Sequence, residues 1–283
     1  MQHIEFFDID HFENNYHRVK ATGNLSLFID FFWETKFDLL LKENPEGFSD
    51  ALFPNIGYTY LLNLGTPFVM QVDETRFEMK TDGFLPRHKA IECYHRVGNC
   101  LFGIKFKASP VILEKQINFA EYRNYIFPLA YLIDPQIVNQ VKLAENFNAR
   151  VAILTEYFEK IIQKYLGSLH AIYIVTSIID ECNKANDFTI SIEELASRHK
   201  ISSRTLQRYF ETSTSLSSKQ ALQILRIRKA TAHLATSPSD FHYSLYGYYD
   251  YSHFYKHLKM FLKKTTLQHI STHLNLLKGL RKK

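Results

Sequence analysis

A chain of 283 residues, 46% hydrophobic and 22% charged with few Gly and Pro, has room for two domains and is neither fibrous nor disordered in composition. No run approaches the roughly 20 apolar residues of a membrane span, and the opening MQHIEFFDIDHFENN lacks a basic start followed by an apolar block. A cytoplasmic protein without a membrane partner is therefore expected. The net charge of +5 conceals an asymmetry, because residues 1–150 carry 15 Lys and Arg against 19 Asp and Glu, while residues 151–283 carry 19 against 10. Beyond Phe188 the ratio is 16 to five, the footprint of a module that neutralises phosphates and releases their counterions. Basic excess that merely keeps a domain soluble is the competing reading of charge alone.

From Leu25 to about Ala108 the pattern predicts short strands, among them Leu25–Trp33, Tyr58–Leu64, Pro67–Val72 and Leu101–Lys107. Aromatic and β-branched residues dominate them, and Gly23, Pro45 with Gly47, Gly57, Gly65-Thr66-Pro67, Gly83 and Gly98-Asn99 punctuate them. This is the pattern of a mainly antiparallel sandwich or barrel with a large aromatic core. Phe31, Phe32 and Trp33 either line a pocket or fill that core, and their strand spacing favours core. Cys93, Cys100 and Cys182 are odd in number and form no disulfide or zinc pattern; Cys93 with His88 and His95 is too loose for a metal site.

From roughly Pro110 the periodicity turns helical. Between Ala144 and Leu166, Phe147, Val151, Leu154, Phe158, Ile161, Ile162 and Leu166 form a near-heptad stripe, too short for a coiled-coil seam and so read as internal packing. Gly167 is a stop signal, Leu169–Cys182 a further helix and Asn183–Thr189 a polar loop.

Ile190–Phe210 then spells two short helices and a tight turn. Ser191 with Glu194 makes a capping box, and Ile190 with Leu195 a hydrophobic staple. Lys200-Ile201-Ser202 breaks the pattern, and Ser202 caps the next helix, stapled by Ile201 and Leu206. At about 100° per residue, Arg204, Gln207 and Arg208 share one face of that helix and Leu206 and Phe210 lie opposite. A long helix from Ser218 to Ala235 carries Arg226, Arg228 and Lys229 and ends at Thr236–Asp240. A second pair follows: Phe241–Tyr246, a turn at Gly247–Asp250, and a helix over Tyr251–Leu262. On this last helix Phe254, Leu258 and Phe261 share the core face, with Ser252, Lys256, Lys259 and Lys263 opposite. Two reader helices on one rigid bridge suit successive major grooves, about 34 Å apart.

These residues resemble the AraC/XylS transcriptional regulators, whose DNA-binding domain holds two helix-turn-helix units joined by a long helix. The resemblance covers residues 170–272 and rests on Leu195-Ala196, on S-x-R-x-L-x-R-x-F at Ser202–Phe210, on Leu225-Arg226-Ile227-Arg228-Lys229-Ala230, and on Gly247-Tyr248-Tyr249-Asp250-Tyr251-Ser252-His253-Phe254. It implies base-edge contacts from Arg204, Gln207 and Arg208, with Arg suited to guanine and Gln to adenine, and phosphate contacts from Ser203 and Thr205. In the second unit Tyr251, Ser252, His253, Tyr255 and Lys256 take the corresponding positions, and Lys256 and Lys259 serve phosphate binding or base reading equally well. The segments LFIDFFW at Leu27–Trp33, LLNLGTPF at Leu61–Phe68 and LFGIKFK at Leu101–Lys107 look like the N-terminal domain that accompanies such readers. By analogy this implies a cupin-like β-barrel that binds a small effector and supports a homodimer. RNA polymerase is a further candidate partner beside double-stranded DNA, and activation versus repression stays open.

The chain departs from the family where Gly and Pro are usual after the first recognition helix, having Ser215 and Ser218, and after the second, having Lys263 and Thr266. Tyr243 and His242 replace a small Ala and an Ile, which implies altered packing of the second unit's first helix. The i,i+4 pairs His253/His257 and His269/His273 lack a third metal ligand, so neither metal nor cofactor is expected. No nucleophile elbow, P-loop, dinucleotide fingerprint or zincin motif appears, so no enzyme is expected. The competing class is a partner-binding scaffold with weak or non-specific DNA binding. The expected architecture is α+β: a β-rich sensing and dimerisation domain at 1–135, a helical connector at 136–168, and an all-α double helix-turn-helix domain at 169–283.

Overall fold

The computed structural model describes residues 1–115, 122 and 125–279. Its first half is a sandwich of two sheets. One holds, in order, β1 (Gln2–Ile4), β4 (Ser49–Leu52), β9 (Ile91–Tyr94), β6 (Phe68–Val72) and β7 (Thr75–Met79). The other holds β11 (Phe127–Pro128), β8 (Gly83–Pro86), β5 (Tyr58–Asn63), β10 (Cys100–Phe106), β3 (Ile29–Lys36) and β2 (His17–Lys20). Neighbouring strands pair antiparallel except β1 with β4. Both strand orders are open, so the fold is a sandwich rather than a closed barrel.

Twelve α-helices complete the described residues: α1 (Ile9–Asn14), α2 (Asp38–Glu43), α3 (Val111–Lys115), α4 (Pro135–Leu143), α5 (Phe147–Lys164), α6 (His170–Ala185), α7 (Ile192–Arg198), α8 (Ser203–Thr214), α9 (Ser218–Thr236), α10 (Tyr251–Phe261), α11 (Lys264–His269) and α12 (Ser271–Gly279). The helical reading from Pro110 is met by α3; residues 116–121, 123, 124 and 280–283 lie outside the described ones.

One expected strand starts late. Gly23–Leu27 winds into a 3-10 helix and β3 begins only at Ile29. Gly23 sits at a φ of +56°, and the Ser26 hydroxyl donates to its carbonyl at 2.7 Å, a local bond that competes with strand pairing.

The six-stranded sheet is covered on both faces, which is why every residue of β5 is buried. Leu61, Leu85 and Leu101 face the other sheet and pack with Met70, Val72, Ile91 and Cys93. Tyr58, Tyr60, Phe102 and Phe106 face the helices, where Leu154, Phe158, Ile161 and Ile162 of α5 cover them. The near-heptad stripe is thus internal packing. Leu166 leaves it, being 46% exposed in a short 3-10 turn.

The second half has two cores strung on α9. Leu222, Ile224 and Leu225 join α6, α7 and α8, whereas Ile227, Ala230 and Leu234 join α10, α11 and α12. Both cores recruit the sandwich: Ile56 enters the first, and Ile4, Ala51 and Phe53 enter the second. No helix among the described residues is long and apolar enough to cross a membrane.

Candidate nucleic-acid interface

The first unit folds as its local signals dictate. The Ser191 hydroxyl accepts from Glu194 N at 3.1 Å and the Ser202 hydroxyl from Thr205 N at 3.1 Å, satisfying amides that a helix start leaves orphaned. Only half of the expected capping box at Ser191 forms, because the Glu194 carboxylate turns to Arg198 at 2.6 Å. The reciprocal box appears instead at α9, where Ser217 and Gln220 cap each other at 3.1 and 3.2 Å. The S-x-x-Q signature from Ser217 to Gln220 marks this start in the sequence.

On α8, Leu206 and Phe210 are 0% exposed in the core. Arg204 and Arg208, one turn apart, are exposed, and the Arg208 guanidinium rests 5.8 Å from the Tyr209 ring centroid. Gln207 is engaged within the domain. Its amide nitrogen donates to Glu211 Oε1 at 2.6 Å, and its oxygen accepts from the amide and hydroxyl of Ser218 at 3.4 and 3.1 Å. A half-buried amide so occupied joins α8 to the start of α9 rather than facing outward. Ser203 is half-buried, and the Thr205 hydroxyl lies 2.9 Å from that of Ser202.

Ser215 takes the left-handed backbone (φ +59°) in which a helix usually places Gly. It is completely buried, and its hydroxyl is hydrogen-bonded to that of Tyr58 on β5. Ser215 thereby ties the end of α8 to the sandwich.

The second unit departs further. Phe241–Tyr246 was expected to be a helix, but only Tyr243–Tyr246 winds, as a 3-10 turn capped by the His242 imidazole. Gly247 follows at φ +68°, and a side chain there would press to 2.2 Å from Thr189 Cγ2. Arg226 fixes this turn to α9: its Nε donates to Tyr246 O at 2.5 Å and its guanidinium lies 3.9 Å from the Tyr248 ring centroid. The Asp250 carboxylate caps α10 through His253 N at 2.7 Å.

Ser252, His253, Lys256 and Lys259 are exposed on α10. Tyr251 is not: it is 6% exposed in the core, and half-buried Tyr255 stacks on it at 5.8 Å. Lys263, placed on the outer face by spacing, reaches back 3.2 Å to Glu92 of β9. His257 points inward, its Nδ1 2.6 Å from the Tyr248 hydroxyl, and burial lowers its pKa to about 4. It therefore does not converge with exposed His253. Tyr249, which the sequence did not single out, is 91% exposed just ahead of α10.

The sandwich holds polar clusters that spacing did not reveal. Glu5 accepts from Arg228 of α9 at 2.5 Å, with Arg87 of the sandwich at 3.8 Å. Burial pushes the Glu5 pKa up, but the two guanidiniums outweigh it and hold the carboxyl below its ordinary value. The buried Lys105 ammonium donates to Ile56 O at 2.5 Å and Phe106 O at 2.9 Å, and burial, helped by Arg87, drives its pKa well below the usual lysine value.

Asp50 is bonded to His11 Nε2 at 3.0 Å and to the Tyr16 hydroxyl, with His95 Nε2 at 3.4 Å. Burial alone would raise its pKa; the histidines reverse that and hold the carboxyl far below the carboxylate range. Asp50, His95, Arg18 and Arg87 border a cavity of about 70 Å³ between the sheets, with Phe31 and Trp33 also in its wall. Phe32, on the opposite face, is core.

No protein-family model and no curated protein matches the chain. Among solved structures the chain is similar to ToxT. With ToxT from Vibrio cholerae O395 the TM-score is 0.42 at 13% identity, over 94% of this chain and 97% of that one. With unsaturated fatty acid-bound wild-type ToxT from Vibrio cholerae strain SCE256 it is 0.40 at 10% identity, over 88% and 90%. With the AraC-like transcriptional activator CuxR it is 0.27 at 10% identity, over 79% and 89%.

Proposed function

We propose that this chain is a cytoplasmic, sequence-specific DNA-binding transcription regulator of the AraC type, which inserts α8 and α10 into successive major grooves. The observation that carries this reading is the pair Arg204 and Arg208, exposed one turn apart on a helix whose underside is anchored by Leu206 and Phe210. Guanidiniums so held suit bidentate contact with guanine O6 and N7, about 1–3 kcal/mol of discrimination each. Ser203 and Thr205 beside them serve phosphate. On α10, Ser252, His253, Lys256 and Lys259 supply short polar groups and cations, which position the duplex more than they read it. Regulation calls for RNA polymerase as a further partner, and a homodimer would bring two such domains to one operator.

A compact polar effector in the inter-sheet cavity belongs to the same proposal. Arg87 borders that cavity and also faces Glu5, the partner of Arg228 on α9. A ligand that competes for Arg87 would favour one placement of the bridging helix over another, which is the only way binding can shift an equilibrium.

The test is selection of bound fragments from random DNA by the purified full chain, followed by gel shifts across a salt series. A reader enriches a guanine-containing motif and shows a steep salt slope. Binding without enrichment would leave the scaffold reading.

A further inference from the structure

Beside the second reader helix lies a groove of about 530 Å³ enclosed by α10, α11 and α12. Leu262, Leu267 and Leu274 floor it, Tyr255 walls it, and Lys259 and Lys264 stand at its rim. Tyr251, Tyr255 and Lys259 follow one another at i, i+4 and i+8 on α10 and lead to Leu262 just past its end, Lys259 standing at the boundary with the face of exposed Ser252, His253 and Lys256. A duplex meeting the latter face leaves the leucine floor and Lys264 open alongside, with Lys259 shared between the two surfaces.

The charge of this region is one-sided. Residues 251–275 contain four Lys and no Asp or Glu, and no acid lines the groove. Among the described residues no carboxylate is paired with Lys256, Lys259 or Lys264; only Lys263 has one, at Glu92. Phosphate would satisfy those ammonium groups but has nothing to place on the leucines. An occupant must bring carboxylates and bulky apolar side chains together.

We propose that this groove docks an acidic protein segment, with aspartate or glutamate on Lys259 and Lys264 and a leucine or phenylalanine on the Leu262–Leu267–Leu274 floor. The inference goes beyond DNA reading and gives the second unit a protein-binding face next to its duplex face. Anchoring by apolar side chains inside a charged rim is the ordinary anatomy of a modest interface.

The test mixes the full chain, without DNA, with a fluorescein-labelled synthetic peptide of alternating aspartate and leucine or phenylalanine, read by anisotropy. Saturable binding is expected, weakened about tenfold by Lys264→Glu and unchanged by Lys219→Glu, the same charge reversal on exposed α9. A peptide with serine at the apolar positions should bind at least about tenfold more weakly. Equal losses from both lysine variants, or equal binding of the serine peptide, would overturn the proposal in favour of diffuse attraction. Displacement of the peptide by a random duplex that persists in Lys259→Ala would assign the groove to the DNA surface. Sedimentation showing self-association abolished by Lys264→Glu would give it to a second copy of the chain. The peptide measurement needs no operator, so it can fail while DNA reading stands, and the reverse.

Discussion

The two helix-turn-helix units share a bridging helix yet are built to different ends. The first follows local rules closely: Ser191 and Ser202 cap, Leu206 and Phe210 anchor, and two arginines are left exposed. The second has lost most of its first helix to a 3-10 turn, exposes lysine rather than arginine, and buries the tyrosine that should open its reading face. It is also the unit more deeply merged with the sandwich, through Lys263–Glu92, the edge contact of Phe7 with His273 at 4.8 Å, and the shared core of Ile4, Ala51 and Phe53. On the proposed reading, discrimination and attachment are thus divided between the units.

The largest effect should come from breaking that attachment. Glu5→Ala leaves Arg228 and Arg87 without their carboxylate, and a loss of about 3 kcal/mol in urea unfolding is expected. A loss under about 1 kcal/mol would mean the bridging helix needs no such clamp. Next, Arg208→Ala should weaken binding to a selected site by about 1–3 kcal/mol while binding to scrambled DNA changes little, as gel shifts would report. Equal losses on both DNAs would erase the division of labour.

A third effect is confined to the second unit. Burial holds the His257 pKa near 4 against 6.5 for a free histidine. A depressed histidine keeps its neutral form in the fold, so stability is complete above 6.5 and falls as pH drops toward 4, where the fold too takes up the proton. After solvent screening, up to about 2 kcal/mol should be lost across that window. Melting curves of the native chain and His257→Gln at neutral and acid pH would show it, the variant giving the flatter dependence. Smallest is Lys259→Ala, expected to weaken both DNAs alike and to lower the salt slope by about one.

What could be read from the sequence was whatever depends on near neighbours. Caps at Ser191 and Ser202, the buried stripe of α5 and the span of α9 all follow from spacing within a few turns. Gln207 escaped because its partner Ser218 stands eleven residues on, across a turn whose shape no local pattern specifies. Glu5 and Arg228 meet across 223 positions, and Asp50 draws His11 and His95 from separate elements. Tyr251 and Tyr255 belonged to a motif whose spacing held, but α11 and α12 form a groove on that side of α10. In each case tertiary contact decided, and periodicity contains no record of it.

The tethered amide of Gln207 fixes how α8 sits on the start of α9. On the proposed reading, exchanging the side chains at 204 and 208 would alter which bases are preferred while α8 stays riveted to its support. Including position 207 in such a library would loosen the rivet as well, so weakened variants there would report lost alignment rather than a new preference.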